Sequence, residues 1–208
     1  MIPAQAALAR LREGNLRYVA DDPVGCLCIG HERRSQLLVG QEPFAIILGC
    51  SDSRVPAEII FDQGLGDLFV IRVAGNIVAS SQIASVEYAV DRLGVRLVVV
   101  LGHNGCGAVA ATLQELEMPA EKRSVGLRSI VSRIRPSVET LMETDLRNRP
   151  EELMHHAIRA NIRSSVLHLR QGSAVLEHYL QKGGLCVVGA EYDLKSGRVD
   201  FFEGVSDD

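Results

Sequence analysis

Phe44-Ala45-Ile46-Ile47-Leu48-Gly49 runs directly into Cys50-Ser51-Asp52-Ser53-Arg54. Further along, Leu97–Gly102 runs in the same way into His103-Asn104-Gly105-Cys106-Gly107. Each apolar run has strand length. Each is continuous in Val, Ile and Leu rather than alternating, the pattern of a parallel strand covered on both faces. Working outward, Leu68–Arg72 and Leu185–Ala190 repeat the pattern, and helical periodicity fills Ser81–Leu93, Gly105–Leu116 and Glu151–Leu180. The spacing predicts an α/β fold. Its mostly parallel central sheet has four parallel strands, at Ala45–Leu48, Leu68–Arg72, Leu97–Leu101 and Leu185–Ala190, flanked by helices. The tail, Tyr192–Phe202, turns at Lys195-Ser196-Gly197 and is expected to add a C-terminal antiparallel edge strand. Two thiols, an imidazole and a carboxylate then sit just past the carboxyl ends of two strands, where open α/β sheets build ligand sites.

Residues 1–30 form an expected N-terminal helical arm. Over residues 3–19 the apolar Leu8, Leu11 and Leu16 share a helix with Arg10, Arg12, Glu13 and Arg17. This helix has no evident place in the predicted sheet, so it is expected to pack on a partner subunit. His31–Val39 reads as a short helix stopped by Gly40 and Pro43, and the long C-terminal helical region as one broken near Gly172.

The chain has 208 residues, 47% of them hydrophobic, which suits one domain with a sizeable core. The net charge of −4 comes without a basic stripe, and only 4% of residues are aromatic, which argues against a nucleic-acid partner. Met1–Arg17 lacks the apolar core of a signal peptide, and no apolar run is long enough to span a membrane. A soluble cytoplasmic protein is therefore expected. Five cysteines, an odd number, favour metal ligation and free thiols over a disulfide framework.

Zinc takes thiolate sulfur and imidazole nitrogen, and a catalytic site uses three protein ligands with a fourth position open. His103 and Cys106 are three apart, so a turn entering a helix can aim both at one point. Cys50 needs only a neighbouring parallel strand to join them. Two thiolates and a neutral imidazole cancel the charge of the zinc dication. Water on such a metal is expected to be less acidic than at three histidines, where its pKa is about 7. Asp52 and Arg54 are the neighbours able to compensate. The carboxylate can accept a hydrogen bond from the bound water or swing in as a fourth ligand, and a bidentate Arg54 can hold it off the metal. Cys186 lies inside an apolar strand and reads as core. Cys26 and Cys28 form a CxC in a loop without further ligands nearby in sequence, and read as surface or packing thiols. His31, His155 and His156 read as solvated surface residues rather than proton shuttles.

At these residues the sequence resembles a β-class carbonic anhydrase. The resemblance rests on Cys50–Pro56, on Gly66-Asp67-Leu68-Phe69-Val70-Ile71-Arg72 leading into Ala74-Gly75-Asn76, on Ser85–Val90, and on Gly102–Ala108. It covers residues 10–110 well and the C-terminal strands more loosely. It implies a zinc enzyme, a lyase, that interconverts carbon dioxide and bicarbonate as a homodimer or dimer of dimers, with active sites at the subunit interface. By position, Cys50, His103 and Cys106 correspond to the zinc ligands, and Asp52 and Arg54 to a catalytic dyad that orients zinc-bound hydroxide. Gln41, Phe69, Ala74, Tyr88 and Gly107 correspond to substrate-pocket residues, with Tyr88 contributed across the interface.

One subtype of the family closes the zinc with the aspartate and binds bicarbonate in an inhibitory pocket that includes a tryptophan. Here that position is Ile47 and the chain has no tryptophan, although Arg72 and Tyr192 match the rest. The open subtype is expected. Asn104 stands where the family commonly has serine, and Val73 where it commonly has asparagine. Two alternative readings stand beside this one: a hydrolase of carbon disulfide or carbonyl sulfide using the same ligands, and a non-catalytic structural zinc protein, which four protein ligands would support.

Overall fold

A computed structural model describes residues 2–24, 30–122 and 124–205. Cys26 and Cys28 lie outside the described residues. Five strands, β1 (Ala45–Gly49), β2 (Leu68–Arg72), β3 (Leu97–His103), β4 (Cys186–Tyr192) and β5 (Val199–Glu203), form one sheet in the order β2-β1-β3-β4-β5. The pairs β1/β2, β1/β3 and β3/β4 are parallel, and β4/β5 is antiparallel, as the turn residues predicted. β3 runs two residues beyond its expected end and carries His103 as its last residue. The order reverses at β1. The chain leaves β1 toward β2 on one side, then returns to place β3 on the other. This topological switch opens a crevice at the carboxyl ends of β1 and β3.

Both faces of the sheet are covered, which is why β1 and β3 are buried along their whole length. On one face Ile46, Leu48, Val98 and Val100 pack under α4 (Ser80–Arg92), α5 (Gly107–Glu117), α6 (Arg128–Val138), α7 (Pro150–Gln171) and α8 (Ala174–Gln181). On the other, Ile47, Val99, Leu101 and Val188 pack under α1 (Ala4–Val19) and the single-turn α3 (Ala57–Ile60). The remaining short helix, α2 (His31–Gln36), continues into a 3-10 turn over Leu37–Val39.

The long helix α7 starts on Pro150 with Glu151 and Glu152 in its first turn and ends with His168 and Arg170 in its last, all in accord with the helix dipole. It stops at Gly172, where a Cβ would lie 2.5 Å from the His168 carbonyl oxygen. Ser173 then caps α8, its Oγ accepting the Leu176 N–H at 3.1 Å. Pro136 sits inside the last turn of α6 rather than beyond it.

The N-terminal helix has a place on its own sheet, which the sequence pattern did not show. Ala7 and Leu11 are fully buried. Gly14 lets α1 approach so closely that any Cβ would collide with the Phe61 carbonyl. Asn15 Nδ2 donates to the carbonyls of Ile60 (3.1 Å) and Gly197 (2.8 Å), while its Oδ1 accepts the Val199 N–H at 2.9 Å. Sequence patterning marks which face of α1 is apolar but not which surface that face meets.

Candidate metal centre

The sulfurs of Cys50 and Cys106 and a ring nitrogen of His103 all lie within 4.8 Å of one another. Three elements deliver them. Cys50 is the first residue past β1, His103 ends β3, and Cys106 precedes the first turn of α5. β1 and β3 are hydrogen-bonded neighbours with Gly49 opposite Leu101, so their ends emerge side by side. All three side chains are buried.

The donor set fits a metal ion. His103 Nδ1 faces the Asn104 carbonyl oxygen at 2.9 Å, an acceptor only, so the ring proton belongs on Nδ1. Nε2 is then a bare lone pair. It is buried and, among the described residues, meets no hydrogen-bond donor of ordinary geometry, which is costly unless something electrophilic meets it. The Cys50 thiol is primed as well. A hydrogen bond from Cys106 holds the Cys50 thiol well below its usual range against the opposing effect of burial, and the Gly75 N–H, 3.4 Å from Sγ, acts in the same direction. The Cys50 interaction and burial push the Cys106 thiol up. Two thiols this close to each other and to His103 form a donor set that a dication would empty of protons.

Asp52 and Arg54 form a fork beside this cluster. Arg54 Nε and an Nη reach the two carboxylate oxygens at 2.9 and 2.7 Å, and the Arg54 backbone N–H reaches Oδ1 at 3.0 Å. Those bonds hold the Asp52 carboxyl well below the usual carboxylate range. Its Oδ2 lies 3.9 Å from His103 Nε2. Arg72 supports the loop from below, donating to the Cys50 carbonyl at 3.1 Å and the Asp52 carbonyl at 2.6 Å.

The other expected residues divide into two groups. Gly107 opens α5 directly after Cys106, and a Cβ there would meet nothing within 4 Å. Ala74 begins the turn whose Gly75 contacts Cys50. Phe69 and Tyr88 instead stack on each other, 6.2 Å between ring centroids, on β2 and α4 of the same chain. Tyr88 and Gln41 line a groove of about 500 Å³ together with Leu37 and Leu38, and none of the three ligand side chains lines it.

The family matched by the sequence is carbonic anhydrase, over residues 45–199. The chain is 41% identical over 202 residues to a carbonic anhydrase of Mycolicibacterium smegmatis, covering 97% of this chain and 95% of that one. Among solved structures it is similar to the β-carbonic anhydrase CafA of Aspergillus fumigatus, with TM-score 0.74, 29% identity, and 98% and 92% of the two chains covered. It is similar also to a tetrameric β-carbonic anhydrase of Sordaria macrospora, with TM-score 0.71, 27% identity, and 81% and 85% covered. The chain belongs to the β-class carbonic anhydrases. Cys50, His103 and Cys106 are the zinc site of this carbonic anhydrase. Among the described residues no helix is long and apolar enough to cross a membrane.

Two supporting residues, Asn161 and Ser165, and the bonding of a third, Asn104, escaped the sequence reading. Asn104 is tied at both ends of its side chain: Nδ2 donates to the Asp193 carboxylate, and Oδ1 accepts the Leu194 N–H at 2.8 Å. Asn161 and Ser165 of α7 reach the carbonyls of Gly75 (2.8 Å) and Asn76 (3.0 Å). The available signal was two polar residues, four apart, inside the apolar stripe Ile158, Ile162, Val166, Leu169.

Proposed function

We propose that this carbonic anhydrase catalyses the reversible reaction of carbon dioxide and water to give bicarbonate and a proton, with Asp52 and Arg54 acting as an orienting dyad. The observation that carries this reading is a three-donor metal set beside a carboxylate that faces it but is gripped by an arginine. A structural zinc site takes four protein ligands. Here three donor side chains converge among the described residues, and the nearest further candidate is engaged by Arg54.

Zinc held by Cys50, His103 and Cys106 supplies Lewis acidity that lowers the pKa of water. The chain's own residues do the rest. Arg54 keeps Asp52 ionised and aimed. Asp52, staying ionised, accepts a hydrogen bond from the attacking water, which turns that oxygen's lone pair toward the carbon, and the proton that the reaction releases leaves to solvent. The Gly107 N–H and Gln41 steady the negative charge growing on the carbon dioxide oxygens. Ala74, Phe69 and Tyr88 form the apolar wall that admits an uncharged linear substrate.

Because Gln41 and Tyr88 share a groove apart from the ligands, the complete pocket is read as spanning two subunits, with Gln41 and Tyr88 supplied by a partner. Exposed Leu38 (86%) and Val39 (97%) beside that groove support a homodimer or dimer of dimers, as does the likeness to a tetrameric relative. The open zinc form is favoured by the Asp52–Arg54 fork. It is favoured also by Arg72 being engaged on loop carbonyls, and by Tyr192 being buried with its hydroxyl against that of Tyr18 at 3.2 Å. The test is zinc content together with stopped-flow carbon dioxide hydration across about pH 6–9. Zinc-dependent hydration that rises with pH is expected, and zinc-loaded protein with no hydration would refute the reading.

A further inference from the structure

The Cys50 sulfur accepts a backbone hydrogen bond from outside its own loop, from Gly75 N–H at 3.4 Å. That amide belongs to a turn of unusual shape. Gly75 (φ 71°) and Asn76 (φ 44°) are consecutive residues in the left-handed region, where only glycine, and to a lesser degree asparagine, sits at low cost. A conformation of that kind persists only when its surroundings over-determine it.

α7 supplies those surroundings. Ile162 is fully buried and packs against Gly102 of β3 and Gly189 of β4, neither of which has a Cβ to keep it away. This close approach brings the neighbouring Asn161 and Ser165, one helical turn apart, over the 74–76 turn. Asn161 Nδ2 donates to the Gly75 carbonyl and Ser165 Oγ to the Asn76 carbonyl. Both side chains are nearly fully buried, at 2% and 5% exposure. Buried polar side chains are unfavourable unless bonded, and an apolar stripe would pack α7 without them. Both are used on successive carbonyls of one turn, and that turn's amide points at a zinc ligand.

We propose that Asn161 and Ser165 are positioning residues of the zinc centre, holding the Ala74–Asn76 turn so that Gly75 N–H stays aimed at the Cys50 sulfur. The inference rests on Cys50 being a zinc ligand. An N–H directed at a thiolate fixes the lone pair that meets the metal and draws charge from the sulfur. The metal then keeps more of its Lewis acidity in a site whose two thiolates would otherwise neutralise it.

The test uses the full-length protein and cobalt(II) as a spectroscopic stand-in for zinc. Ser165→Thr and Ser165→Val are nearly isosteric and differ by the hydroxyl, so any overpacking is common to both. Asn161→Leu removes the other donor. Zinc affinity, read by chelator competition, should fall roughly tenfold or more in Ser165→Val and Asn161→Leu and stay near wild type in Ser165→Thr. The sulfur-to-cobalt charge-transfer band should move to longer wavelength in the first two only, because a sulfur without its N–H donor gives up charge more easily. A merely structural role would lower the stability of the metal-free protein and leave that band in place. Equal affinities and bands in Ser165→Val and Ser165→Thr would overturn the proposal even if Asn161→Leu fails to fold. Wild-type protein lacking any such band would overturn the zinc reading and the proposal together.

Discussion

Replacing Gly102 with alanine would place a Cβ 2.5 Å from Cδ1 and 2.6 Å from Cγ1 of Ile162. A flexible surface side chain would step aside. Ile162 has little room to do so, because it is fully buried and its Cγ2 already lies close over Gly189 of β4, where a Cβ would be 2.8 Å from it. Strand β3 or helix α7 must therefore shift, which for an overpacked core costs about 1–3 kcal/mol. Ile162→Ala alone removes a buried aliphatic side chain and costs about 2–5 kcal/mol. In the double variant the new Cβ enters space that Ile162 has vacated. The combined loss should fall short of the sum by about 1 kcal/mol or more, as expected for residues in direct contact. The assay is urea unfolding of the zinc-free protein at one protein concentration, followed by far-ultraviolet circular dichroism because the chain has no tryptophan. Since Gly102 precedes His103, Gly102→Ala should also weaken zinc binding, and Ile162→Ala should partly restore it. Strictly additive losses, or a Gly102→Ala cost within about 0.5 kcal/mol of zero, would refute the argument that glycine is required here for the approach of α7.

Cys106→Ser should lose most of its zinc, measured as metal per chain after dialysis, and full occupancy would remove Cys106 from the ligand set. Asp52→Ala and Arg54→Ala should each lower kcat with zinc retained. The double variant should lose less than the two combined, because paired residues act as a unit; steady-state kinetics showing independent losses would separate them. Asn104→Ser removes the side-chain tether to Asp193 and Leu194, so the carbonyl that orients His103 Nδ1 is left with only the backbone bond of Asn104 N–H to the Tyr192 carbonyl. Zinc should dissociate faster to a chelator, and an unchanged rate would dismiss the tether. Burial raises the Glu191 carboxyl above its ordinary 4.5, with Asp200 and Asp193 adding to it and His155 and Arg159 opposing. The folded state then holds that proton to higher pH than the unfolded state, so stability is lost as pH rises from near 4.5 through the folded value. Glu191→Gln should flatten that part of the stability profile in urea titrations at several pH values, and an unaltered slope would contradict the assignment.

The residues alone marked which side chains converge and roughly where in the fold they lie. Continuous apolar runs of strand length, rich in Ile and Val, at Ala45–Leu48 and Leu97–Leu101 read as strands covered on both faces, and a parallel sheet aligns the carboxyl ends of its strands. Cys50, His103, Cys106, Asp52 and Arg54 follow those ends directly, so their convergence was legible from local sequence. Tertiary structure decided what holds them. The register Gly49 opposite Leu101 sets the distance between the two motifs. The seating of Ile162 against Gly102 and Gly189 brings Asn161 and Ser165 to a turn 86 and 89 residues away in sequence. The bonds of Asn15 to Ile60, Gly197 and Val199 give α1 a place on its own sheet that its amphipathic pattern did not reveal. Hydrophobic periodicity reports that a face will be buried but carries no address. The address comes from shape, where a missing Cβ lets two elements meet, and from buried polar groups that find their partners only once the chain has closed on itself.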